Sequence, residues 1–160
     1  MEIEKFVDFD GVILDTKIRI DNRKEAFPNM EWMEFLNNID WYKLLNESKT
    51  INDSIEYLLE AEARKRKVKI LTKVHSLLEM QAKVTFLRNQ RITLPILFTP
   101  PNTKKSSIFI PENGELLIDD TLENLYDWKS AGGTGLYFHE SLSPNETFQT
   151  ANTLQRILEP

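Results

Sequence analysis

The stretch KFVDFDGVILDT, residues 5–16, decides the fold of this chain. It begins as a short apolar run, which is typical of a buried strand, and then places Asp8, Asp10 and Gly11 where that strand ends. At a separation of ~5 Å and an effective dielectric constant of ~20, two carboxylates repel each other by about 3 kcal/mol. Carboxylates grouped at a strand end therefore predict a cation bound between them.

Length and composition limit the classes of protein to consider. The 160 residues, 41% of them hydrophobic, fit one domain with a packed core, and the absence of cysteine excludes disulfides and thiol nucleophiles. The net charge of -5 argues against a nucleic-acid duplex as partner. No apolar run is long enough for a membrane span or a signal peptide, so we expect a cytoplasmic protein with no membrane partner.

Five short apolar runs, rich in β-branched residues, predict strands. They are IEKFVDF (3–9), KVKILT (67–72), LPILFT (94–99), GELLID (114–119) and TGLYFH (134–139). Segments with helical periodicity lie between them. This alternation predicts an α/β fold with a largely parallel sheet.

Helix starts are marked by a short polar residue that can cap the helix, with a Glu three residues later. The pattern occurs as Asp53 with Glu56, Ser76 with Glu79 and Ser143 with Glu146, and Thr121 is a fourth cap. The helix after Ser76 is expected to bury one apolar stripe, made of Leu77, Met80, Val84 and Leu87. The pattern at Ser143 predicts a further helix over residues 143–158.

One segment breaks the alternation directly after the first strand. From about residue 17 to residue 49 there is no convincing strand, and EWMEFLNNIDWYKLL (31–45) has apolar residues at helical spacing. We therefore expect a small helical insertion at this point of the chain.

A second acidic pair occurs in ELLIDDTLEN, where Asp119 and Asp120 end an apolar strand and a helix begins at once. Because ligands of parallel α/β sheets bind outside the carboxyl ends of the strands, we expect this pair to lie near Asp8. Carboxylate oxygens are ligands that suit Mg²⁺. The two acidic segments together predict a magnesium site.

Four motifs now follow one another between residue 3 and about residue 139. They are FVDFDGVILDT, ILT ending in Thr72, a lysine at Lys104 or Lys105, and LLIDD ending in Asp119 and Asp120. In type and order they resemble the motifs of the haloacid dehalogenase (HAD) superfamily. The resemblance implies a HAD-like Rossmannoid parallel sheet flanked by helices, with residues 1–16 and 50–160 as the core and 17–49 as a small helical cap.

The same resemblance implies a phosphatase with Mg²⁺ as its cofactor. Asp8 would be the nucleophile that forms an aspartyl-phosphate, and Asp10 the general acid and base. The metal would be bound by Asp8, by the backbone carbonyl of Asp10 and by Asp119, while Asp120 would hold metal-bound water.

The resemblance also implies a set of phosphate-binding residues. Thr72 would donate to a phosphate oxygen, and Gly11 would permit a tight backbone beside the phosphate. A lysine would balance the charge of the phosphorylated intermediate. Lys105 is favoured over Lys104 for this position, because Ile108 three residues later can begin the return to the core.

The substrate stays open between three interpretations. The short cap and the LLIDD motif are similar to small 5'(3')-deoxyribonucleotidases, which implies a small phosphorylated substrate such as a nucleoside monophosphate. Aromatic residues of the insertion offer either a stacking surface for a base or simply the core of the cap: Phe27, Trp32, Trp41 and Tyr42. The alternatives are a phosphatase of a phosphorylated polymer end or protein, and a HAD-like domain that binds a phosphorylated ligand without turnover.

Overall fold

The centre of the structure, a computed structural model that describes residues 1–160, is a parallel sheet of six strands. The strands are β1 (Lys5–Val7), β2 (Val68–Lys73), β3 (Ile96–Thr99), β4 (Leu116–Asp119), β5 (Thr134–Phe138) and β6 (Gln149–Ala151). Their order is β3-β2-β1-β4-β5-β6, and every neighbouring pair is parallel. The prediction of an α/β fold with a parallel sheet is confirmed, and all five predicted strands are present.

Helices flank this sheet. They are α1 (Thr16–Lys24), α2 (Trp32–Asn38), α3 (Trp41–Glu47), α4 (Ser54–Ala63), α5 (Leu77–Asn89), α6 (Lys105–Ile108) and α7 (Leu122–Ser130), and a 3₁₀ helix spans Gln155–Leu158. None of these helices combines the length and the apolar character that a membrane crossing requires.

The central strand β1 is buried on both faces, which is why its sequence is almost continuously apolar. Phe6 belongs to a small cluster beneath α7, where it packs against Trp128. Val7 points to the opposite face and belongs to the main core of 27 buried residues. Packing on both faces fixes β1 in the middle of the sheet, so the residues after it start from a rigid position.

The strand register brings the two acidic segments together. Val7 of β1 pairs with Ile118 of β4, and the Asp8 N–H donates to the Ile118 carbonyl at 3.0 Å. Both strands run in the same direction, so Asp8 and Asp119 leave the sheet side by side at its carboxyl edge.

Residues between β1 and α4 form the three helices of the predicted insertion. Its two ends are tied together where the Asp15 N–H donates to Lys49 O and the Ile51 N–H donates to Ile13 O, both at 3.0 Å. Apolar residues of α2 and α3, such as Trp41, belong to the same core as the sheet. The role of residues 17–49 as a cap stays a prediction.

The helix predicted over residues 143–158 is wrong. The structure has β6 and the 3₁₀ helix there, and Asn145 forms a turn in which its Oδ1 accepts the N–H groups of Thr147 and Phe148 at 2.8 and 2.9 Å. Phe148 is buried against the sheet, and the strand after it pairs with β5. Pairing with the preceding strand β5 has overridden the local helical pattern.

The other three helices begin where the sequence predicted, but only one has the predicted side-chain cap. Ser76 Oγ accepts the Glu79 N–H at 3.1 Å. Asp53 has a left-handed φ of 60° and no capping bond, and Thr121 uses its hydroxyl to accept from Lys17 instead. The start of α7 is therefore tied to α1 rather than capped by its own residue.

Candidate active site

Three carboxylates meet at the carboxyl edge of the sheet. Asp8 follows β1, Asp119 ends β4 and Asp120 comes directly after it; one oxygen from each lies within 4.8 Å of the others. Asp8 and Asp119 are buried, and Asp120 is half-buried. The neighbouring parallel strands thus assemble an acidic cluster from residues more than a hundred positions apart in sequence.

Lys105 bridges two members of this cluster. It stands at the start of α6, and its Nζ donates to Asp8 Oδ1 at 2.8 Å and to Asp119 Oδ2 at 2.7 Å. The other candidate, Lys104, is exposed and pairs with Asp127 at 3.2 Å, so it does not reach the site. Of the two lysines, the structure brings only Lys105 to the predicted position.

Lys17 is a second cation at the cluster, and the sequence analysis did not identify it. Its Nζ donates to both carboxylate oxygens of Asp120 at 2.8 Å. Lys17 is half-exposed and belongs to α1, which begins immediately after the first motif. Three carboxylates facing two ammonium groups leave one net negative charge when all five groups are ionised.

This crowding changes the protonation of the buried groups. Burial and the neighbouring Asp119 carboxylate raise the pKa of Asp8 to about 8, against the opposing effect of Lys105. Burial alone would lower the pKa of Lys105, but the carboxylates of Asp119 and Asp8 outweigh it and raise that pKa. The lysine is therefore a permanent cation, while Asp8 needs further positive charge to be ionised at neutral pH.

The donor set of the cluster fits Mg²⁺. All three groups are carboxylates, the hard oxygen ligands that this ion prefers, and their spacing and residual negative charge suit a small cation. Asp120, which the sequence analysis expected to hold metal-bound water, lies in the carboxylate cluster itself. The Asp10 side chain points elsewhere, so any contribution of Asp10 to the metal would come from its backbone carbonyl.

Both oxygens of the Asp10 carboxylate are held by other side chains. Thr16 Oγ1 donates to Oδ1 at 2.6 Å, and Lys83 Nζ donates to Oδ2 at 2.8 Å. Burial by itself raises the pKa of Asp10, but the Lys83 charge and these hydrogen bonds outweigh it and hold that pKa below its usual value. Asp10 is thus a fixed carboxylate at the side of the cavity.

The sequence analysis missed Lys83 because the apolar stripe predicted for α5 is only partly right: Leu87 is buried, and Met80 and Val84 are half-buried. Leu77, predicted to be buried, is exposed, whereas Glu79 and Lys83 are fully buried. Glu79 and Lys83 are spaced i,i+4 and form an ion pair at 2.8 Å. That spacing is the one sequence signal that could have indicated the pair.

Thr72 lies near the end of β2 and is fully buried. Its Oγ1 accepts a hydrogen bond from Lys83 at 2.9 Å and makes only a long contact of 3.4 Å to Lys73 O as donor. Thr72 does not line the cavity beside Asp8, so its predicted hydrogen bond to a phosphate oxygen stays a prediction.

Gly11 has the tight backbone that was predicted for it, and its place beside the phosphate stays a prediction. Its N–H donates to Leu14 O at 2.8 Å, so this amide is not free to bind phosphate. Its φ is +82°, and a Cβ at this position would lie 2.1 Å from Asp120 Oδ2. Glycine is required here because the backbone passes directly against the acidic cluster.

A cavity of about 240 Å³ opens beside these groups. Asp8, Asp10 and Lys105 line it, and further cationic or polar residues surround them; only Ile20 and Trp41 are apolar. Lining residues outside the motifs include Lys17, Lys73, His75, Glu79, Thr121, Glu123 and Asn124. The cavity therefore suits a small and strongly polar ligand.

Most of the predicted stacking residues do not reach this cavity. Trp41 borders it but is 1% exposed, and Phe27 lines a separate cleft between α1 and α2. Trp32 packs edge-on against Phe35 within the insertion. The insertion thus offers little aromatic surface to a ligand bound at Asp8.

Comparisons with known proteins agree on the fold. The chain is similar in structure to a HAD hydrolase of family IA from Entamoeba histolytica, with a TM-score of 0.65 and 14% identity over 99% of this chain and 98% of the other. A D,D-heptose 1,7-bisphosphate phosphatase from B. bronchiseptica, complexed with magnesium and phosphate, has a TM-score of 0.62 and 12% identity over 99% and 96%. A haloacid dehalogenase-like hydrolase from Streptococcus pneumoniae has a TM-score of 0.58 and 13% identity over 86% and 84%.

No family model matches the sequence, and no curated protein matches it significantly. At identities this low the structural likeness shows the fold alone. The chain has the fold of HAD-superfamily hydrolases, and its chemistry has to be argued from its own residues.

Proposed function

We propose that this protein is a Mg²⁺-dependent phosphomonoester hydrolase that acts through an aspartyl-phosphate on Asp8. The observation that carries this proposal is the cluster of Asp8, Asp119 and Asp120, with Lys105 bound to the first two, beside a polar cavity lined by both lysines and carboxylates. The D,D-heptose 1,7-bisphosphate phosphatase with this fold supports the same class of reaction.

Mg²⁺ held by Asp8, Asp119, Asp120 and the Asp10 carbonyl would neutralise the repulsion between the Asp8 carboxylate and a phosphate dianion. In the first step an Asp8 oxygen attacks phosphorus, the phosphorus–oxygen ester bond breaks, and the leaving oxygen takes a proton from Asp10. Asp10 must be protonated for this step, a form that its lowered pKa disfavours. Lys105 balances the charge that develops on the phosphoryl group, and Thr72 donates to one of its oxygens.

The second step returns the enzyme to its starting state. Water attacks phosphorus, Asp10 takes the proton of that water, and the acyl-phosphate bond breaks to release inorganic phosphate and the Asp8 carboxylate. The lowered pKa of Asp10 favours the carboxylate form that this step requires.

We propose a small anionic phosphate ester as the substrate class. The cavity of about 240 Å³ lies below the range of ~300–1,000 Å³ usual for sites of drug-sized ligands. A nucleoside monophosphate is the narrower candidate, although Trp41, the tryptophan at the cavity, is too deeply buried to stack on a base.

The test is a panel of phosphomonoesters with p-nitrophenyl phosphate, sugar phosphates, dTMP and dUMP, assayed with Mg²⁺ and with EDTA. We expect Mg²⁺-dependent release of phosphate that is abolished in Asp8→Asn. A flat profile across nucleotides and sugar phosphates would remove the nucleotide assignment. Binding of phosphate esters without any turnover would contradict hydrolysis and favour a ligand-binding domain.

A further inference from the structure

We propose that Lys83 is a positioning residue that fixes Asp10 and Thr72 in the arrangement needed for proton transfer and phosphate binding. This inference rests on the proposed function, because it assigns Lys83 a part in that same reaction. It follows from a buried network that joins α5 to the ends of β1 and β2.

The Lys83 ammonium has four oxygen partners, more than its three protons can serve separately. They are Asp10 Oδ2 at 2.8 Å, Thr72 Oγ1 at 2.9 Å, Lys73 O at 3.0 Å and Glu79 Oε2 at 2.8 Å. The side chain is fully buried, and its Nζ also lies 5.1 Å from the centre of the Phe9 ring.

If Lys83 served only the stability of the fold, it would not need its contacts with Asp10 and Thr72. Glu79, one turn earlier on the same helix, already pairs with Lys83 and would neutralise its charge. Two of the remaining contacts instead go to Asp10 and Thr72, the groups to which the proposed reaction assigns proton transfer and phosphate binding. The Nζ atom of Lys83 therefore fixes the position of the Asp10 carboxylate relative to the Thr72 hydroxyl.

The hydrogen bond from Lys83 helps to hold the Asp10 carboxylate in one orientation. Thr16 holds one of its oxygens and Lys83 the other. A group that transfers protons in both steps must return to the same position each time, and small displacements of such groups are costly for the rate. Removing Lys83 would release one oxygen of Asp10 and leave the Thr72 hydroxyl without its donor.

Glu79 anchors the lysine from the other side. Its Oε2 pairs with Lys83, while its Oε1 accepts the His75 N–H at 2.9 Å and lies 3.0 Å from His75 Nδ1. The position of Lys83 is thus fixed by the loop between β2 and α5 as well as by its own helix.

The experiment is a double-mutant cycle of Lys83→Met with Asp10→Asn, assayed on the best substrate of the panel. We expect Lys83→Met to lower kcat by about 10–100-fold, the scale for groups that orient catalytic residues, with KM changed less than about threefold. In the Asp10→Asn background the same substitution should lower kcat by less than about threefold, because its target is already lost.

Leu87→Ala is the matched control for a loss of stability. Leu87 is fully buried on the same helix and contacts none of the reacting groups, so its truncation should lower the melting temperature while kcat stays within about twofold. Stabilisation by Mg²⁺ should also be unchanged in Lys83→Met, since the acidic cluster does not contact Lys83.

If Lys83→Met does not fold, the cycle is run with Glu79→Gln, which keeps the shape of the anchor and removes its charge. We expect kcat to fall by about 10-fold, the lower end of the scale for groups that orient functional residues, again only when Asp10 is present. Additive losses in the cycle, or a folded Lys83→Met with unchanged kcat, would overturn the positioning role. An inactive wild-type protein would instead overturn the proposed function, so the two failures are distinguishable.

Discussion

At Gly11 the backbone lies so close to the acidic cluster that no side chain fits between them. Gly11 has a φ of +82° and no room for a Cβ beside Asp120, whereas Gly114 has a similar φ of +77° with its nearest neighbour 3.8 Å away. Gly114→Ala is therefore expected to cost about 1 kcal/mol of unfolding free energy from backbone strain alone. Gly11→Ala should cost more and should also lower kcat/KM, because Asp120 is displaced.

Urea unfolding and steady-state kinetics on the two variants measure this difference. Equal losses of stability with unchanged kcat/KM would show that the close approach of Gly11 to Asp120 has no consequence for the site.

The adjacent lysines give a second comparison at the scale of the residue. Lys105→Met removes the ammonium that bridges Asp8 and Asp119, so we expect kcat to fall by about 10²–10³-fold. Lys104→Met removes only an exposed ion pair and should leave kcat within about twofold. Circular dichroism shows whether each variant is folded, and equal activity in two folded variants would contradict the role of Lys105.

Residues of the site differ in how far the sequence reveals them. Asp8, Asp10, Asp119 and Thr72 follow apolar strands, so strand prediction alone places them at one edge of the sheet. Lys83 contacts Asp10 from 73 positions away in sequence. Helical periodicity treats a lysine as a surface residue, and only the tertiary partners show that this one is buried.

The strands also differ in whether their own sequence or their pairing in the sheet determines their conformation. The five predicted strands are short runs of apolar and β-branched residues, and their own composition was sufficient to identify them. The sixth, Gln149–Ala151, is a polar edge strand that exists because it pairs with β5. Its sequence matched a helix start, and only the sheet determines its conformation.

Mutation of Ser143 and of Asn145 distinguishes a helix from the observed turn and strand at this place. If residues 143–158 began a helix at Ser143, Ser143→Ala would cost about 1 kcal/mol of stability. In the observed turn Asn145 accepts two backbone N–H groups, so Asn145→Ala should cost about 1 kcal/mol and Ser143→Ala nearly nothing. Urea midpoints measure both, and the reverse order would contradict the turn.

Over the whole molecule, the parallel strands place three carboxylates at one edge of the sheet. One of them, Asp8, makes the stability of the protein depend on pH. Without metal, the pKa of Asp8 is about 8 in the folded protein, above its ordinary value of ~3.9. Between these two values the folded protein holds a proton that the unfolded chain has released. The contribution of Asp8 to the unfolding free energy therefore falls as the pH rises from about 4 to about 8.

Mg²⁺ should reverse this loss, because it replaces the proton at the cluster. We expect added Mg²⁺ to raise the melting temperature more at pH 8 than at pH 6. At one hundred times its dissociation constant, the bound ion would add about 2.7 kcal/mol to the unfolding free energy. Asp119→Asn should abolish the effect. Equal stabilisation at both pH values, or stabilisation that survives in Asp119→Asn, would argue against binding at this cluster.

The most direct test of the central claim is a crystal structure of the protein soaked with Mg²⁺ and beryllium fluoride, which mimics a phosphoryl group on a carboxylate. The account predicts beryllium bonded to an oxygen of Asp8, with Mg²⁺ in contact with Asp119 and the Lys105 ammonium beside the fluorides. Beryllium fluoride bound to another residue, or a site without it at saturating concentration, would contradict the assignment of Asp8 as the nucleophile.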